Sequence, residues 1–306
     1  MVKYVLAASG LKLFSSSSVA KSAYRTLGNT LGNRKRLRSG MPDYYVRRVA
    51  RMLNLHQRFQ IIGHGDRIVE IGTGWMHWEA LTIRLFFDIE AILFDVWDNR
   101  QLPALKQYLT DFGRRVGTDL SVPPDQMRRV SKLIEEILRT RSFEELYDLL
   151  GFKYMVDKNG NLNRIESESV DFVVSAGVLE HVKRDHVGGL VKEFNRLLKP
   201  GGFSMHSINL GDHLQAYDRS VSEKNYLKYS DKIWHRLFEN EVQYINRLQR
   251  PEWLALFGEA KFKLVNEESI DVSLGKLKVH EKYGAFSREE LGCFSLNLLH
   301  RKESPS

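Results

Sequence analysis

The stretch RIVEIGTGWMHW, residues 67–78, carries the clearest structural signal in the chain. Its β-branched first half, which ends at Ile71, is typical of a buried strand. Gly72 and Gly74 follow, and the apolar run at residues 78–87 is typical of a helix. Glycines between a buried strand and a helix allow a sharp turn whose backbone can approach a ligand, beside the positive end of the helix. The stretch therefore predicts a nucleotide-binding turn.

A second buried strand is predicted by EAILFDVWDN, residues 90–99. A strand, a helix and another strand within about thirty residues form a βαβ unit, which implies a parallel sheet. Asp95 lies 21 residues beyond Gly74, at the end of this second strand. A carboxylate there can accept hydrogen bonds from two ribose hydroxyls, so the site should bind an adenosine-containing molecule.

Alternating strands and helices continue along the chain, which indicates an α/β domain. Two helices are predicted within 122–151; the second begins with a capping box, Ser142 with Glu145, and ends at Gly151. The domain organisation that we expect is a basic, helical N-terminal extension over 1–58 and one α/β domain over 59–306. The domain carries a helical insertion at about 113–151 and an irregular insertion at about 210–250.

The basic charge is concentrated at the start of the chain. Residues 1–60 contain twelve lysines and arginines and one acid, Asp43, which gives them a formal charge of +11. The whole chain carries +8, so the remaining residues come to −3. This distribution does not favour nucleic-acid binding by the whole surface, but it favours a local anionic partner for the N-terminal extension.

The first residues, MVKYVLAASGLKLF, resemble a signal peptide superficially, but Lys12 interrupts an apolar run that is too short to cross a bilayer. We prefer a weakly amphipathic helix that packs on the body or frays. The alternative is peripheral membrane contact, with LKLF at the interface and the basic stretch 33–38 on anionic headgroups. A single cysteine, Cys293, excludes an intramolecular disulfide and fits a cytoplasmic location, including the inner face of the membrane.

The type of adenosine ligand follows from two departures from the dinucleotide fingerprint. That fingerprint needs glycine at position 77, where this chain has His77, so the following helix should pack less closely and a pyrophosphate loses support. Glu70 would repel a pyrophosphate but suits the ammonium of a methionine group. The pattern therefore favours S-adenosylmethionine over NAD.

Four stretches, in the same order, resemble motifs of the class I S-adenosylmethionine-dependent methyltransferases, over about residues 60–210. They are VEIGTGW, LFDVWDN, SESVDFVVSAGVLEHV and EFNRLLKPGGFSMHSIN. The resemblance implies a Rossmann-like, doubly wound and mostly parallel seven-stranded sheet. It also implies an enzyme that uses S-adenosyl-L-methionine.

Carried over residue by residue, the resemblance implies a cofactor site made of ten residues. Glu70, Gly72, Thr73 and Gly74 would contact the methionine part, and Trp75 would flank the cofactor. Asp95 would hold the ribose, Val96 would pack on the adenine and Asp157 would meet the adenine amino group. Ser175 and Ala176 would line the floor beneath the sulfonium.

The sulfonium is already activated, so alignment of the acceptor supplies much of the rate of methyl transfer. An oxygen or nitrogen acceptor can still need a base, for which histidine is suited at neutral pH. His213 is the first candidate for this base and His181 the second; in either position we prefer an ordinary structural histidine over a catalytic one. The sequence shows no cluster of metal-binding residues, so no metal is expected.

The acceptor is predicted less sharply. Residues 210–250 are rich in tyrosine, histidine, aspartate, asparagine and arginine, which suits a small molecule, a sugar or a glycan but also describes a solvated cap. The stretch YSDKIWHRLF resembles a bacterial lineage that we associate with glycans and small molecules, and the absence of an N-P-P-Y-like motif argues against nucleic acid. The alternatives are a methyltransferase-like binding protein without turnover and a nicotinamide-dependent oxidoreductase.

Overall fold

The apolar stretch before Gly72 forms strand β1 (Asp66–Ile71) in the computed structural model of the protein, which describes residues 1–304. Within these residues seven strands form one sheet, in the order β3-β2-β1-β4-β5-β7-β6. The other strands are β2 (Ile89–Asp95), β3 (Phe152–Val156), β4 (Val170–Ala176), β5 (Leu198–Asn209), β6 (Phe262–Asp271) and β7 (Cys293–Lys302). β1 pairs in parallel with β2 and β4, β2 pairs in parallel with β3, and β6 and β7 are antiparallel. The predicted Rossmann-like, mostly parallel seven-stranded sheet is confirmed.

Eleven α-helices lie within the described residues. They are α1 (Val2–Phe14), α2 (Ser18–Ser39), α3 (Asp43–Phe59), α4 (Trp78–Phe86), α5 (Leu102–Asp119), α6 (Pro124–Arg139), α7 (Phe143–Leu150), α8 (Arg184–Leu197), α9 (Asp231–Leu237), α10 (Arg250–Glu259) and α11 (Arg288–Gly292). Ser142 caps α7 by accepting a hydrogen bond from the Glu145 N–H, and Gly151 ends it with a positive φ, as predicted. The reciprocal half of the predicted capping box does not form, because the Glu145 carboxylate accepts from the Arg141 N–H instead. The sequence patterns did not predict α5.

The chain divides into two compact units. The first unit comprises 1–28, 176–195 and 205–303, and the second unit comprises 29–175 and 196–204. The predicted boundary at 58/59 stays a prediction.

Helix α4 is central to the second unit. All of its residues except Arg84 are buried, and it contacts β1, β2, α3 and α6. Trp78 packs edge-on against Tyr45 and Phe112, and its indole Nε1–H donates to the Tyr45 carbonyl at 3.1 Å. Trp78 therefore packs α4 against α3. Since α4 begins shortly after the two glycines that follow β1, α3 also supports this part of the unit.

Helix α1 belongs to the core of the first unit. Its buried side chains, Tyr4, Ala8 and Leu11, recur at helical spacing and join a cluster with Leu214, Tyr226, Trp234 and Phe238. The Tyr4 hydroxyl donates to Asp212 at 2.7 Å, and its ring meets Phe238 edge-on at 5.4 Å. The preferred interpretation, a helix packed on the body, therefore describes α1. In contrast, α2 buries none of its residues.

Over the described part of the chain, we find no helix with the length and apolar character needed to cross a membrane.

Candidate active site

The glycine turn, residues 72–77, follows β1 and is tied to the end of β2. The Phe94 carbonyl accepts hydrogen bonds from the Gly72 N–H at 2.8 Å and the Thr73 N–H at 3.1 Å. Gly72 and Gly74 both have φ of +66°, in the left-handed region that side chains disfavour. The two glycines are therefore required by the backbone path, and the predicted contact of Gly72, Thr73 and Gly74 with the methionine part stays a prediction.

Asp95 closes the same turn. Its carboxylate accepts hydrogen bonds from the backbone N–H groups of Gly74 at 2.9 Å, Val96 at 2.7 Å and Trp97 at 3.4 Å. The side chain is buried, and burial raises its pKa against the opposing effect of these N–H groups. Asp95 lies 21 residues beyond Gly74 in the sequence, and the fold brings its carboxylate to the Gly74 N–H.

Val96 and Asp157 lie beside Asp95. Val96 is 43 % exposed. The Asp157 N–H donates to the Asp95 carbonyl at 3.0 Å, and the Asp157 carboxylate accepts from the Asn159 N–H at 2.8 Å. This turn also brings Gly160 next to Val96. The two residues predicted for the adenine therefore share one end of β2 and β3.

Glu70 has a partner within the chain. One carboxylate oxygen accepts a hydrogen bond from the Ala80 N–H at 3.0 Å, in the first turn of α4. Burial, and then the nearby Glu79 carboxylate, raise the pKa of Glu70 well above its usual value. Glu70 therefore anchors α4 to β1, and its predicted contact with the methionine ammonium stays a prediction.

His77 explains how the turn manages without a third glycine. It adopts a φ of +54°, the left-handed conformation that glycine would supply, and α4 packs on β1 and β2 nonetheless. The ring nitrogens pair with Thr73 Oγ1 and the Tyr147 hydroxyl, each at 2.8 Å, which offsets the backbone strain. Burial lowers the pKa of His77 to about 3, so the ring is neutral at pH 7. The helical insertion thus supports the turn through Tyr147 of α7.

Trp75 lies between two side chains of the second unit. Its ring meets Tyr108 edge-on at 5.0 Å, and the Arg36 guanidinium lies 4.4 Å from the ring centroid. Arg36 also donates to Gln101 at 2.8 Å, and the Gln101 N–H donates to the Trp75 carbonyl at 3.0 Å. One arginine of the basic N-terminal stretch is therefore built into the surroundings of the glycine turn.

Ser175 and Ala176 end β4. Ser175 is buried and stands opposite Ile71 in the parallel register of β1 and β4, directly before the glycine turn. Ala176 follows it and is half-buried. Of the predicted cofactor residues, those from 70 to 175 all lie in the second unit.

The two candidate bases lie together in the first unit, and a third polar side chain joins them. The His181 and His213 ring centroids are 5.0 Å apart, and Glu180 completes what we name the Glu–His cluster. Burial lowers the pKa of His213 to about 4, with a smaller contribution from His181. The sequence analysis missed Glu180; its available signal was its place beside His181, in the short segment that follows the end of β4.

The methyltransferase-domain family matches residues 37–267, about three quarters of the chain. The chain belongs to this family. The match covers the glycine turn, Asp95, Ser175 and the Glu–His cluster. None of the curated proteins matches the chain significantly.

Solved structures of methyltransferases resemble this methyltransferase at low identity. One is 1,6-didemethyltoxoflavin-N1-methyltransferase from Burkholderia thailandensis, with bound 1,6-didemethyltoxoflavin and S-adenosylhomocysteine (14% identity, 85% of this chain and 79% of that chain, TM-score 0.46). Others are S-adenosylmethionine-dependent methyltransferases from Methanosarcina mazei (13%, 81% and 98%, TM-score 0.46) and Mesorhizobium loti (14%, 83% and 98%, TM-score 0.45). At this identity, with TM-scores below 0.5, these likenesses do not indicate an acceptor.

The family match confirms the predicted enzyme class, and S-adenosylmethionine is the cofactor of this methyltransferase. The nicotinamide-dependent alternative receives no support from it. The roles of the individual residues stay predictions.

Proposed function

We propose that this methyltransferase transfers a methyl group from S-adenosylmethionine to an oxygen or nitrogen of a small molecule, a sugar or a glycan. In this proposal the glycine turn, Trp75 and Asp95 bind the donor, with Val96 and Asp157 at the adenine and Ser175 and Ala176 beneath the sulfonium. Asp95 already accepts three backbone hydrogen bonds, so its carboxylate is held in place before a ribose arrives.

The observation that carries the acceptor class is a cleft of about 970 Å³ in the first unit. Charged side chains of both signs line it together with aromatic ones, and about half of the lining residues come from the irregular insertion at 210–250. The lining residues include Lys183, Arg184, Asp231, Glu239, Tyr244, Arg247, Lys282, Tyr283 and Phe286. Mixed hydrogen-bonding groups beside aromatic rings suit a polyhydroxylated acceptor, because the rings cover its C–H faces while the charges bind its hydroxyls.

Proton removal is part of the same proposal. His213 and His181 remain the candidates, and His213 is neutral at pH 7 because burial lowers its pKa. A pKa of about 4 also makes His213 a weak base, since catalytic bases work best with a pKa near the operating pH. His181 has an exposed ring, and its Nδ1 lies 2.7 Å from the Tyr244 carbonyl.

A screen with methyl-labelled S-adenosylmethionine tests this function. Acceptors would be grouped as hydroxylated sugars and glycans, phenols, amines and oligonucleotides, and transferred label would be counted. We expect turnover with a hydroxylated or amine acceptor. Label in oligonucleotides alone would overturn the acceptor class.

Lysine variants sharpen the assignment of the cleft. Lys183 lines the cleft and is exposed, directly before α8, whereas the exposed Lys192 lies within α8 and does not line the cleft. We expect Lys183→Ala to raise KM for the acceptor about tenfold, the effect of one charge-assisted hydrogen bond, with donor affinity unchanged. Lys192→Ala should leave both unchanged. Equal KM values for the two variants would remove the cleft from the proposal.

We also propose that the N-terminal extension contacts anionic membranes peripherally from the cytoplasmic side. The supporting feature is α2, which buries no residue and exposes Leu27, Leu31 and Leu37 among basic side chains. Leu27→Ser with Leu31→Ser should reduce co-sedimentation with phosphatidylglycerol vesicles. The matched control is Ser22→Ala with Thr26→Ala on the same helix. Equal sedimentation of both variants would contradict membrane contact.

A further inference from the structure

The Glu–His cluster joins two short segments of the first unit. Glu180 and His181 belong to the 3-10 helix Leu179–His181 that follows β4, and His213 begins the 3-10 helix His213–Tyr217 that follows β5. One ligand-type atom from each of the three side chains lies within 4.8 Å of the others. His181 and His213 are 32 positions apart in the sequence, so only the fold brings the two segments together.

Two atoms of this cluster are buried without a hydrogen-bond partner in the part of the chain that the structure describes: Glu180 Oε2 and His213 Nε2. The other oxygen of Glu180 accepts from the Asn209 N–H at 3.2 Å, and the residue is 3 % exposed. Buried polar atoms almost always have a partner in native proteins, and a bound ion is one cause of an exception. A buried oxygen and a buried imidazole nitrogen, both unpartnered and in one cluster, therefore indicate a cation.

His181 is oriented as a metal ligand. Its Nδ1 lies 2.7 Å from the Tyr244 carbonyl, which can only accept, so Nδ1 carries the hydrogen. The Nε2 atom then keeps a lone pair. A backbone carbonyl that fixes the ring in this way is the usual outer partner of a metal-bound histidine.

His213 is suited to the same role because burial lowers its pKa to about 4. Its ring is therefore neutral at pH 7, and a neutral imidazole is the form that binds a metal.

We propose that Glu180, His181 and His213 bind one divalent transition-metal ion, with Zn²⁺ as the best match. Two imidazoles and one carboxylate form a known catalytic zinc ligand set and leave a coordination position open for water or another oxygen ligand. Mg²⁺ and Ca²⁺ prefer oxygen ligands alone. This site is independent of the acceptor proposed above, and it replaces the role of His213 and His181 as bases, because a metal-bound imidazole has no lone pair left to take a proton.

The cluster needs a small adjustment to close on a metal. Two atoms bound to one Zn²⁺ ion lie at most about 4.3 Å apart, because each bond is 2.0–2.2 Å long. The three side chains span up to 4.8 Å. His181 is exposed, so a shift of its side chain by about half an ångström closes this difference without a change in the buried ligands.

The test is calorimetric titration of the chelator-treated full chain with ZnCl₂, without donor or acceptor, so that its outcome does not depend on methyl transfer. We expect one saturable site. His213→Ala and Glu180→Gln should each weaken Zn²⁺ binding at least a hundredfold, and MgCl₂ should bind far more weakly.

The matched control is His186→Ala, which removes an exposed histidine five residues from His181. It should bind Zn²⁺ like the unmodified chain. Circular dichroism and thermal unfolding establish that each variant is folded; if His213→Ala does not fold, the exposed His181→Ala gives the same readout. The proposal is overturned if Zn²⁺ does not saturate one site, if the cluster variants bind as well as the unmodified chain, or if MgCl₂ binds equally well.

Discussion

The glycine turn and the Glu–His cluster differ in whether their buried polar atoms have hydrogen-bond partners. In the turn, Asp95 accepts three backbone hydrogen bonds and both ring nitrogens of His77 have partners. In the cluster, one oxygen of Glu180 and one nitrogen of His213 have none in the described residues. The turn is therefore a preorganised surface that is stable without a ligand. The cluster is costly to bury unless something binds it.

The largest effect is expected for a change at Asp95, whose buried carboxylate has hydrogen-bond partners. Asp95→Ala removes the predicted ribose contact and the acceptor of three N–H groups. Charge-assisted hydrogen bonds contribute about 1.5–3 kcal/mol each, so S-adenosylhomocysteine should bind about a hundredfold more weakly. Calorimetric titration measures this change.

The matched control for Asp95 is Asp88→Ala, which changes an exposed aspartate at the opposite end of β2. It should leave the affinity for S-adenosylhomocysteine unchanged. If a folded Asp95→Ala variant bound as tightly as the unmodified chain, Asp95 would not belong to the donor site.

The next effect concerns the pH dependence of stability at His213. Its pKa is about 4 in the folded chain and about 6.5 when unfolded, so the stability present above pH 6.5 is lost as the pH falls towards 4. One pKa unit corresponds to 1.36 kcal/mol, so the loss is of the order of 2–3 kcal/mol. Urea unfolding of the metal-free chain at several pH values measures it.

His213→Gln should flatten this part of the pH profile, whereas His186→Gln should not change it. The same slope in the unmodified chain and in His213→Gln would show that His213 is not buried as a neutral ring.

Glu180 gives a smaller effect of opposite sign. Burial raises the pKa of its carboxyl group, so its contribution to stability is present at low pH and is lost as the pH rises above about 4.5. In metal-free protein Glu180→Gln should increase the free energy of unfolding at pH 8 by about 1 kcal/mol, since an unpartnered buried group costs about 1–3 kcal/mol. Little change is expected at pH 4.

Asp95→Asn provides the comparison for Glu180→Gln, because it should decrease the free energy of unfolding under the same conditions. Two amide variants that change stability in the same direction would contradict the distinction between a satisfied and an unsatisfied site.

The smallest effect tests how α1 supports the Glu–His cluster. The Tyr4 hydroxyl donates to Asp212 at 2.7 Å, and Asp212 accepts from the Leu214 N–H at the start of the helix that carries His213. Tyr4→Phe should destabilise the chain by about 1 kcal/mol, the value of one hydrogen bond. It should also weaken Zn²⁺ binding, by less than the roughly tenfold loss expected for a direct partner of a metal ligand, because Tyr4 acts only through Asp212.

Tyr283→Phe is the control for Tyr4, because the buried Tyr283 hydroxyl accepts from Arg247 at 3.2 Å and, among the described residues, makes no hydrogen bond to the Asp212 segment. It should leave Zn²⁺ affinity unchanged. Equal Zn²⁺ affinity in Tyr4→Phe and Tyr283→Phe would separate α1 from the cluster.

The same contrast explains what the sequence could predict. The glycine turn and Asp95 lie within one βαβ unit, where spacing along the chain determines which groups meet. The Glu–His cluster depends on two 3-10 helices that are distant in the sequence. The burial of Glu180 and His213 cannot be deduced from the residues next to them in the chain. His77 falls between these cases: its departure from glycine was visible, but its pairing with Tyr147 required the position of α7. The sequence left open whether α1 packs on the body or frays. In the structure it packs, and the hydrogen bond from the Tyr4 hydroxyl to Asp212 holds it there.

Helix α5 shows a second limit. It contains Gly113 and Gly117, which weaken a helical pattern, yet Gly113 lies against Ile134 and Gly117 against Met127 of α6. Packing between the two helices therefore favours small residues at positions where local propensity argues against a helix.

Binding of the methyl donor by the unmodified chain tests the central claim most directly. Calorimetric titration with S-adenosylmethionine, S-adenosylhomocysteine and NADH should show one saturable site for each of the two sulfur compounds and no binding of NADH. Binding of NADH, with no binding of either sulfur compound, would contradict the assignment of the glycine turn and Asp95 to a methyl donor.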